Sequence, residues 1–164
     1  MKKNTTLITP EGLQTLKDEL SYLWQKKRPA VTQAVSEAAA LGDRSENAEY
    51  KEGKRLLREI DRRIRYLTKQ LETLTPVHYS TEQEGKVWFG AWVEVENENN
   101  EKMQCRIVGT DEIDPKKGYI SILSPMATAL IGKQIDEEIV VVTPKGYNIW
   151  FITQIQYLPF EDHS

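Results

Sequence analysis

Two carboxylates three residues apart, Asp43 and Glu46, sit in the run Leu41-Gly42-Asp43-Arg44-Ser45-Glu46-Asn47-Ala48-Glu49-Tyr50. That spacing puts both side chains on one side of a turn or of a first helical turn. Two carboxylates can contribute oxygens to Mg²⁺, but the ion wants six in near-octahedral geometry, so the pair alone cannot keep it. The same spacing also fits an acidic helix start, with Asp43 as N-cap and Glu46 at the third helical position. A cap uses one oxygen and leaves others free, so the two roles are compatible. A second feature is a run of basic residues just beyond the pair: Lys51, Lys54, Arg55, Arg58 and Arg62. Their chemistry is contact with a phosphate backbone, as a single-stranded RNA would offer. Glu52, Glu59 and Asp61 dilute the run, so a solvated, salt-bridged face is the competing reading.

Those residues need a scaffold. Thr9-Pro10-Glu11 reads as a helix start, and Leu13, Leu16, Leu20 and Leu23 follow at helical spacing. Ala30, Ala34 and Leu41 continue the pattern past Pro29, which should kink the helix because it removes a backbone donor. Gly42 can end it in the left-handed conformation, and Asp43 can cap the next helix. The second helix repeats at Tyr50, Gly53, Leu57, Ile60, Ile64, Leu67, Leu71 and Leu74, a coiled-coil seam. Helices of about 30 residues would each run roughly 45 Å. The short turn between them makes the pair antiparallel.

The period then changes. Residues 76–86 read as a linker. Val87, Phe89, Ala91, Val93 and Val95 alternate with Trp88, Gly90, Trp92, Glu94 and Glu96, which predicts a strand. Asn97–Glu101 is a turn, after which Met103, Cys105 and Ile107 resume the alternation. Tyr119–Leu123, Glu138–Thr143 and Tyr147–Tyr157 are further strands, the last two joined through Pro144-Lys145-Gly146. Ser124-Pro125 opens a short helix that Gly132 closes. The fold class is therefore α+β. Residues 1–75 form a long antiparallel helical hairpin with its acidic tip at 42–47, residues 87–158 a small antiparallel β domain with one short helix, and residues 159–164 an acidic tail. The strand tryptophans and phenylalanines Trp88, Phe89, Trp92, Trp150 and Phe151 are assigned to packing, and Trp24 to packing across the hairpin.

Composition narrows the field. The chain has 164 residues, 39% hydrophobic and 29% charged, with a net charge of −3. Residues 1–75 hold 15 Lys and Arg against 11 Asp and Glu, and residues 76–164 hold 7 against 14. A basic half followed by an acidic half points to two domains with different electrostatic roles, and the overall acidic balance argues against a general duplex-DNA binder. Nothing approaches the roughly 20 apolar residues a membrane span needs, and no secretory signal opens the chain. The single cysteine, Cys105, fits a reducing cytoplasm, and one Cys with two His cannot make a four-ligand zinc site.

At this point the run from Leu41 to Tyr50 resembles the tip motif of the Gre transcript-cleavage factors. Leu56–Leu67, Tyr22-Leu23-Trp24, Gln83–Val87 and Arg106–Gly109 with Asp111-Glu112 resemble the GreB branch in particular. The similarity spans about residues 6–158. It implies an FKBP-like second domain that docks on the rim of the secondary channel of bacterial RNA polymerase, with the hairpin inside the channel. It implies Asp43 and Glu46 as the catalytic acids, binding Mg²⁺ only within the polymerase complex and shared with it; no metal is expected in the isolated protein. The basic residues would hold the backtracked 3′ end of the nascent RNA, and the polymerase itself remains the hydrolase. Docking falls to Asp111, Glu112, Leu123, Ser124, Pro125 and Met126. Leu123 stands where that branch often has Asp, which changes the docking contact and leaves the tip alone. A monomer is implied. Three other readings stay open: a channel-binding regulator that does not cleave, a prolyl isomerase suggested by fold analogy alone, and a coiled-coil scaffold.

Overall fold

Helix α1 (Pro10–Tyr22) starts as its sequence dictates: the Thr9 hydroxyl accepts from the Gly12 N–H at 3.0 Å, and Pro10 fills a position where no donor is needed. The structure is a computed structural model that describes residues 6–42 and 47–160. Helix α2 (Arg28–Ala40) follows α1 through a π-helical turn, Leu23–Lys27, with the Arg28 N–H bonded to the Leu23 carbonyl. Helix α3 (Ala48–Thr73) then runs back along them. Side chains that meet across the pair fall in opposite chain order: Asn47 on Ala38, Gly53 beside Val35, Asp61 on Arg28, Arg63 on Glu19.

The proline is thus absorbed without breaking the helix. The expected kink appears as one wide turn upstream of Pro29, a known way to accommodate a missing i→i−4 bond. The wide turn carries one extra residue, and it rotates everything after it. Leu16 and Leu23 are buried as the spacing predicts, but beyond the turn the inward positions are Val31, Val35 and Ala38. Ala30 and Ala34 face out, and Leu41 is exposed. The sequence pattern assumed an uninterrupted 3.6-residue period, so it placed those three on the wrong face. Trp24 also points outward, 59% exposed, with the Arg28 guanidinium 5.8 Å from its ring centre.

Helix α3 carries the seam the repeat predicts, with Ile60 and Leu67 buried and Gly53, Leu57, Ile64 and Leu71 half-buried. Gly53 is there because α2 comes very close. A Cβ on it would lie 2.6 Å from Cγ2 of Val35.

The second compact unit combines Thr75 onward with the chain up to Gly12. Strand β1 (Leu7–Ile8) pairs in parallel with β2 (Thr75–Pro76), and Ile8 and Thr9 are buried. Leu7, Ile8 and Thr9 therefore belong with the β unit, whereas the sequence boundary at 75 put them with the hairpin. The main sheet has the order β5-β4-β3-β7-β6, with β3 (Trp92–Asn97), β4 (Lys102–Val108), β5 (Tyr119–Ser121), β6 (Glu138–Thr143) and β7 (Gly146–Gln156). It is mixed where an all-antiparallel sheet was expected: β4 and β5 run parallel. Residues 109–118 carry the chain back to the start of β4, through two 3₁₀ turns and Gly118 in the left-handed conformation, so β5 pairs with the direction reversed from a hairpin.

Helix α4 (Pro125–Leu130), capped by Ser124, covers one face of the sheet. The core under it is Val93, Val95, Cys105, Ile107, Ala127, Leu130, Ile139, Val141 and Ile152, among others. Val87, Phe89 and Ala91 are buried as the alternation requires, yet they precede the strand, which begins at Trp92. Gly90 at φ 88° turns the chain there. Trp88 and Phe151 are each 37% exposed, so of the expected packing aromatics only Phe89 is fully interior. A bulge between Glu94 and Val95, opposite Thr153, adds Glu94 to the buried set, and the Thr153 hydroxyl donates to its carboxylate at 2.9 Å. Burial pushes the Cys105 thiol up to about 12, which leaves it unreactive.

The close approach at Gly53 makes a prediction opposite in sign to helix propensity. In an open helix Gly→Ala gains about 1 kcal/mol. Gly53→Ala should gain nothing and cost roughly 1 kcal/mol through overpacking against Val35. The double substitution with Val35→Ala should recover much of that loss. Urea denaturation of the three variants measures it.

Candidate functional site

A helix has one N-cap, and for α3 it is Asn47. Its backbone is extended (φ −83°, ψ 101°), its Oδ1 accepts from the Tyr50 N–H at 3.0 Å, and the helix begins at Ala48. The capping role that spacing offered to Asp43 therefore falls four residues later. Asp43 and Glu46 themselves lie outside the described residues.

The Nδ2 of Asn47 has a second job. It donates to the Ala38 carbonyl at 2.7 Å, on a carbonyl that also receives the Leu41 N–H at 3.2 Å. The last turn of α2 and the first turn of α3 are thus joined through one amide. Sequence reasoning passed over Asn47, although Asn ranks with Asp and Ser as a helix cap. What decided between the candidates was where helical backbone begins, which the tip sequence alone left open.

The basic residues are where the spacing puts them. At 3.6 residues per turn, Lys51, Arg55, Arg58, Arg62, Arg65 and Lys69 fall within roughly 40° of one line along α3. That line is opposite the seam, and all six are exposed. Lys54 is exposed on the flank. Arg55 is not a free cation. It is ion-paired with Glu52 and Glu59, and the hydrogen bond it donates to Glu52 is the largest of the influences that hold its pKa above the ordinary value. Among the described residues Lys51, Lys54, Arg58 and Arg62 have no ion-pair partner. Elsewhere on the hairpin Arg28 pairs with Asp61 at 2.8 Å and Arg63 with Glu19 at 2.8 Å, so these two arginines tie its helices together.

The six residues assigned to docking divide by what they touch. Glu112 is an internal anchor. Its carboxylate accepts from the Gly109 N–H at 2.8 Å, the Thr9 N–H at 3.0 Å and the Thr9 hydroxyl. Ser124 caps α4 through its hydroxyl, and Met126 packs on the core. Leu123, 50% exposed, and Pro125 present apolar surface beside them. Asp111 is half-buried in the 3₁₀ turn next to Glu112.

Two further features of the β unit were not legible in the alternation. Arg106, 6% exposed, lies over Trp92 with its guanidinium 3.7 Å from the ring centre, donates from Nε to the Gly90 carbonyl at 3.1 Å and faces Glu11 at 3.6 Å. Burial alone would raise the Glu11 carboxyl, but its backbone hydrogen bond, Arg106 and Thr9 together hold it below the usual range. A cleft of about 920 Å³ opens nearby, walled by Glu11, Glu84, Glu94, Tyr79, Tyr157 and Phe160. Three carboxylates make it a poor place for a phosphate, in contrast to α3. Among the described residues no group of three His, Cys, Asp or Glu side chains is arranged to hold a metal ion, and no helix is long and apolar enough to cross a membrane.

A capped helical hairpin with a basic outer face, joined to a mixed-sheet unit, is the arrangement in which the sequence similarity falls. Residues 6–75 match the model described as transcription elongation factor, N-terminal, and residues 82–157 the one described as transcription elongation factor, GreA/GreB, C-term. The chain belongs to the GreA/GreB family of transcription elongation factors. It is 61% identical over 155 residues to the transcription elongation factor GreB of Yersinia pestis, covering 94% of this chain and 91% of that protein. It is 63% identical over 150 residues to the GreB of Pasteurella multocida, covering 92% and 95%.

Glu112 gives a test that separates anchoring from docking. Glu112→Ala removes three hydrogen bonds to Thr9 and Gly109 and should cost about 2 kcal/mol of stability in the β unit. Leu123→Ala should leave stability within about 0.5 kcal/mol, as exposed positions do. Thermal unfolding of both variants followed by circular dichroism reads the difference.

Proposed function

We propose that this elongation factor enters the secondary channel of bacterial RNA polymerase and stimulates the polymerase's own cleavage of backtracked RNA, releasing arrested complexes. The polymerase is the hydrolase, and this chain supplies what its site lacks. Asp43 and Glu46 would be the two acids brought to that site. The observation that supports this most directly is the cap at Asn47: with α3 already capped, neither acid is needed to start the helix. The run of exposed cations on the outward face of α3 begins one turn further on.

In this reading each group has a stated task. Asp43 and Glu46 offer carboxylate oxygens to a Mg²⁺ ion that the polymerase holds too weakly alone; two such donors fit an ion that keeps most of its waters. When bound, the ion supplies charge neutralisation at the scissile phosphate. Glu46 accepts a hydrogen bond from the attacking water and orients it in line with the leaving 3′ oxygen. Lys51, Lys54, Arg58 and Arg62 lie along the displaced RNA and neutralise its phosphates without reading bases, since few aromatic rings interrupt the face. Arg55, paired with Glu52 and Glu59, keeps the two acids from cancelling its neighbours. Leu123 and Pro125 form the apolar contact with the channel rim.

The reading is tested on a purified polymerase stalled in a backtracked state. Asp43→Asn and Glu46→Gln should each lower the RNA cleavage rate about 10²-fold or more, the scale of a lost proton-handling or charge-stabilising group. Polymerase binding, measured by competition, should stay within about twofold. Equal loss of binding and cleavage, or no loss of either, overturns it. Separately, Arg58→Glu with Arg62→Glu should weaken cleavage most on long backtracked segments and flatten its salt dependence, because fewer counterions are released. A uniform effect at all lengths would return those arginines to a solvated face.

A further inference from the structure

The amide of Asn47 serves both helices, with a different atom for each. Its oxygen receives the Tyr50 N–H, one of the donors the first turn of α3 cannot satisfy internally. Its nitrogen, a separate atom, donates to the carbonyl of Ala38, in the last turn of α2, as a second bond beside the one from the Leu41 N–H. A serine or threonine hydroxyl accepts and donates through one oxygen on a shorter side chain, so it does not place separate atoms at the two partners, and an ionised aspartate has no donor. Ala38 is itself 4% exposed, and its carbonyl keeps the Leu41 N–H when the amide is removed, so the cross-hairpin bond can be lost at little cost in stability. The bond joins residues that lie on either side of Asp43 and Glu46 in the chain.

We propose that Asn47 is a positioning residue for transcript cleavage: by tying Ala38 to the cap of α3 it fixes the two chain ends from which the acidic pair is presented. This rests on the reading of Asp43 and Glu46 given above. Asn47 touches neither RNA nor metal in this account and acts only through the span it closes. Displacing a reacting group by about 1 Å can cost up to about 10²-fold in rate. A cap that holds α3 but does not reach α2 leaves that displacement open.

The two bonds can be separated by substitution. Asn47→Asp keeps an oxygen for the Tyr50 N–H, and Asp caps as well as Asn, with added favour from the helix dipole. It loses the donor to Ala38 and sets a carboxylate against that carbonyl. Asn47→Ser keeps the cap and loses the cross-hairpin bond without new charge, which controls for a third acid near the tip. Both full-length variants should unfold within a few degrees of the parent and compete for polymerase with unchanged affinity. At saturating factor, both should cleave backtracked RNA about tenfold more slowly. Both should also need more Mg²⁺ for half-maximal rate, a shift that a loss confined to stability would not produce.

Cleavage at the parental rate by both variants overturns the proposal. So does a fall in polymerase affinity that accounts for the whole loss, because Asn47 would then act in docking. Asp43→Asn run alongside keeps the two claims apart. If that variant cleaves normally, the reading of the acidic pair fails on its own; if it is inactive while both Asn47 variants are unaffected, only the positioning claim fails.

Discussion

A helix can begin only where its first N–H groups find acceptors, and it can end only where its last carbonyls find donors. In a hairpin of two helices both demands arise at the same end, a few residues apart. Here one amide answers a share of each, with Asn47 bonded forward to Tyr50 and across to Ala38. Everything else in the hairpin takes its register from that clasp and from the seam below it, where Ile60 and Leu67 are closed off from solvent and Val35 fits against Gly53. Because the seam occupies one face of α3, the opposite face is available to cations, and Lys51, Arg58 and Arg62 stand on it without acidic partners among the described residues.

The division of charge follows the same logic. In the hairpin, arginines that face the partner helix are spent on it: Arg28 on Asp61 and Arg63 on Glu19. Exposed pairs of this kind contribute little stability each, but they fix which side chains remain unpaired. The β unit has the reverse balance. Among the described residues its one interior cation is Arg106, enclosed by the Trp92 ring, the Gly90 carbonyl and Glu11, and its open cleft has Glu11, Glu84 and Glu94 in its wall. The two units thus differ in charge character, as the opposite net charges of the two halves of the sequence implied.

The helical seam of α3 was legible because its repeat is uninterrupted over seven turns, and the short helix after Ser124-Pro125 because cap and proline announce it. Burial in the β unit was legible at Val87, Phe89 and Ala91 even though these residues are not in a strand: alternation reports which side chains turn inward, not which backbone groups pair. Three things were beyond the pattern. A π turn adds one residue without leaving a mark in hydrophobicity, so Ala30 and Ala34 were placed inward when Val31 and Val35 hold that face. The parallel pairing of β4 with β5 depends on the path of the turns between them, through Gly118, and not on either strand's composition. Glu112 reads as a surface acid in a polar loop, and only the return of Thr9 to that loop shows what its oxygens are for.

That return has a topological meaning. Leu7 lies beside Thr75, and the 67 residues between them leave the β unit and re-enter it through neighbouring strands. The hairpin is therefore an insert within a host domain whose sequence is split around it. The host cannot complete its smaller sheet until the whole insert has been synthesised, so on the ribosome the later-made strands govern when the first residues find their place. The two points of entry are close enough that, in principle, a short bridge could replace the insert and the host would still close. Such an architecture lets the length and cargo of the insert change in evolution while the domain that carries it is left intact.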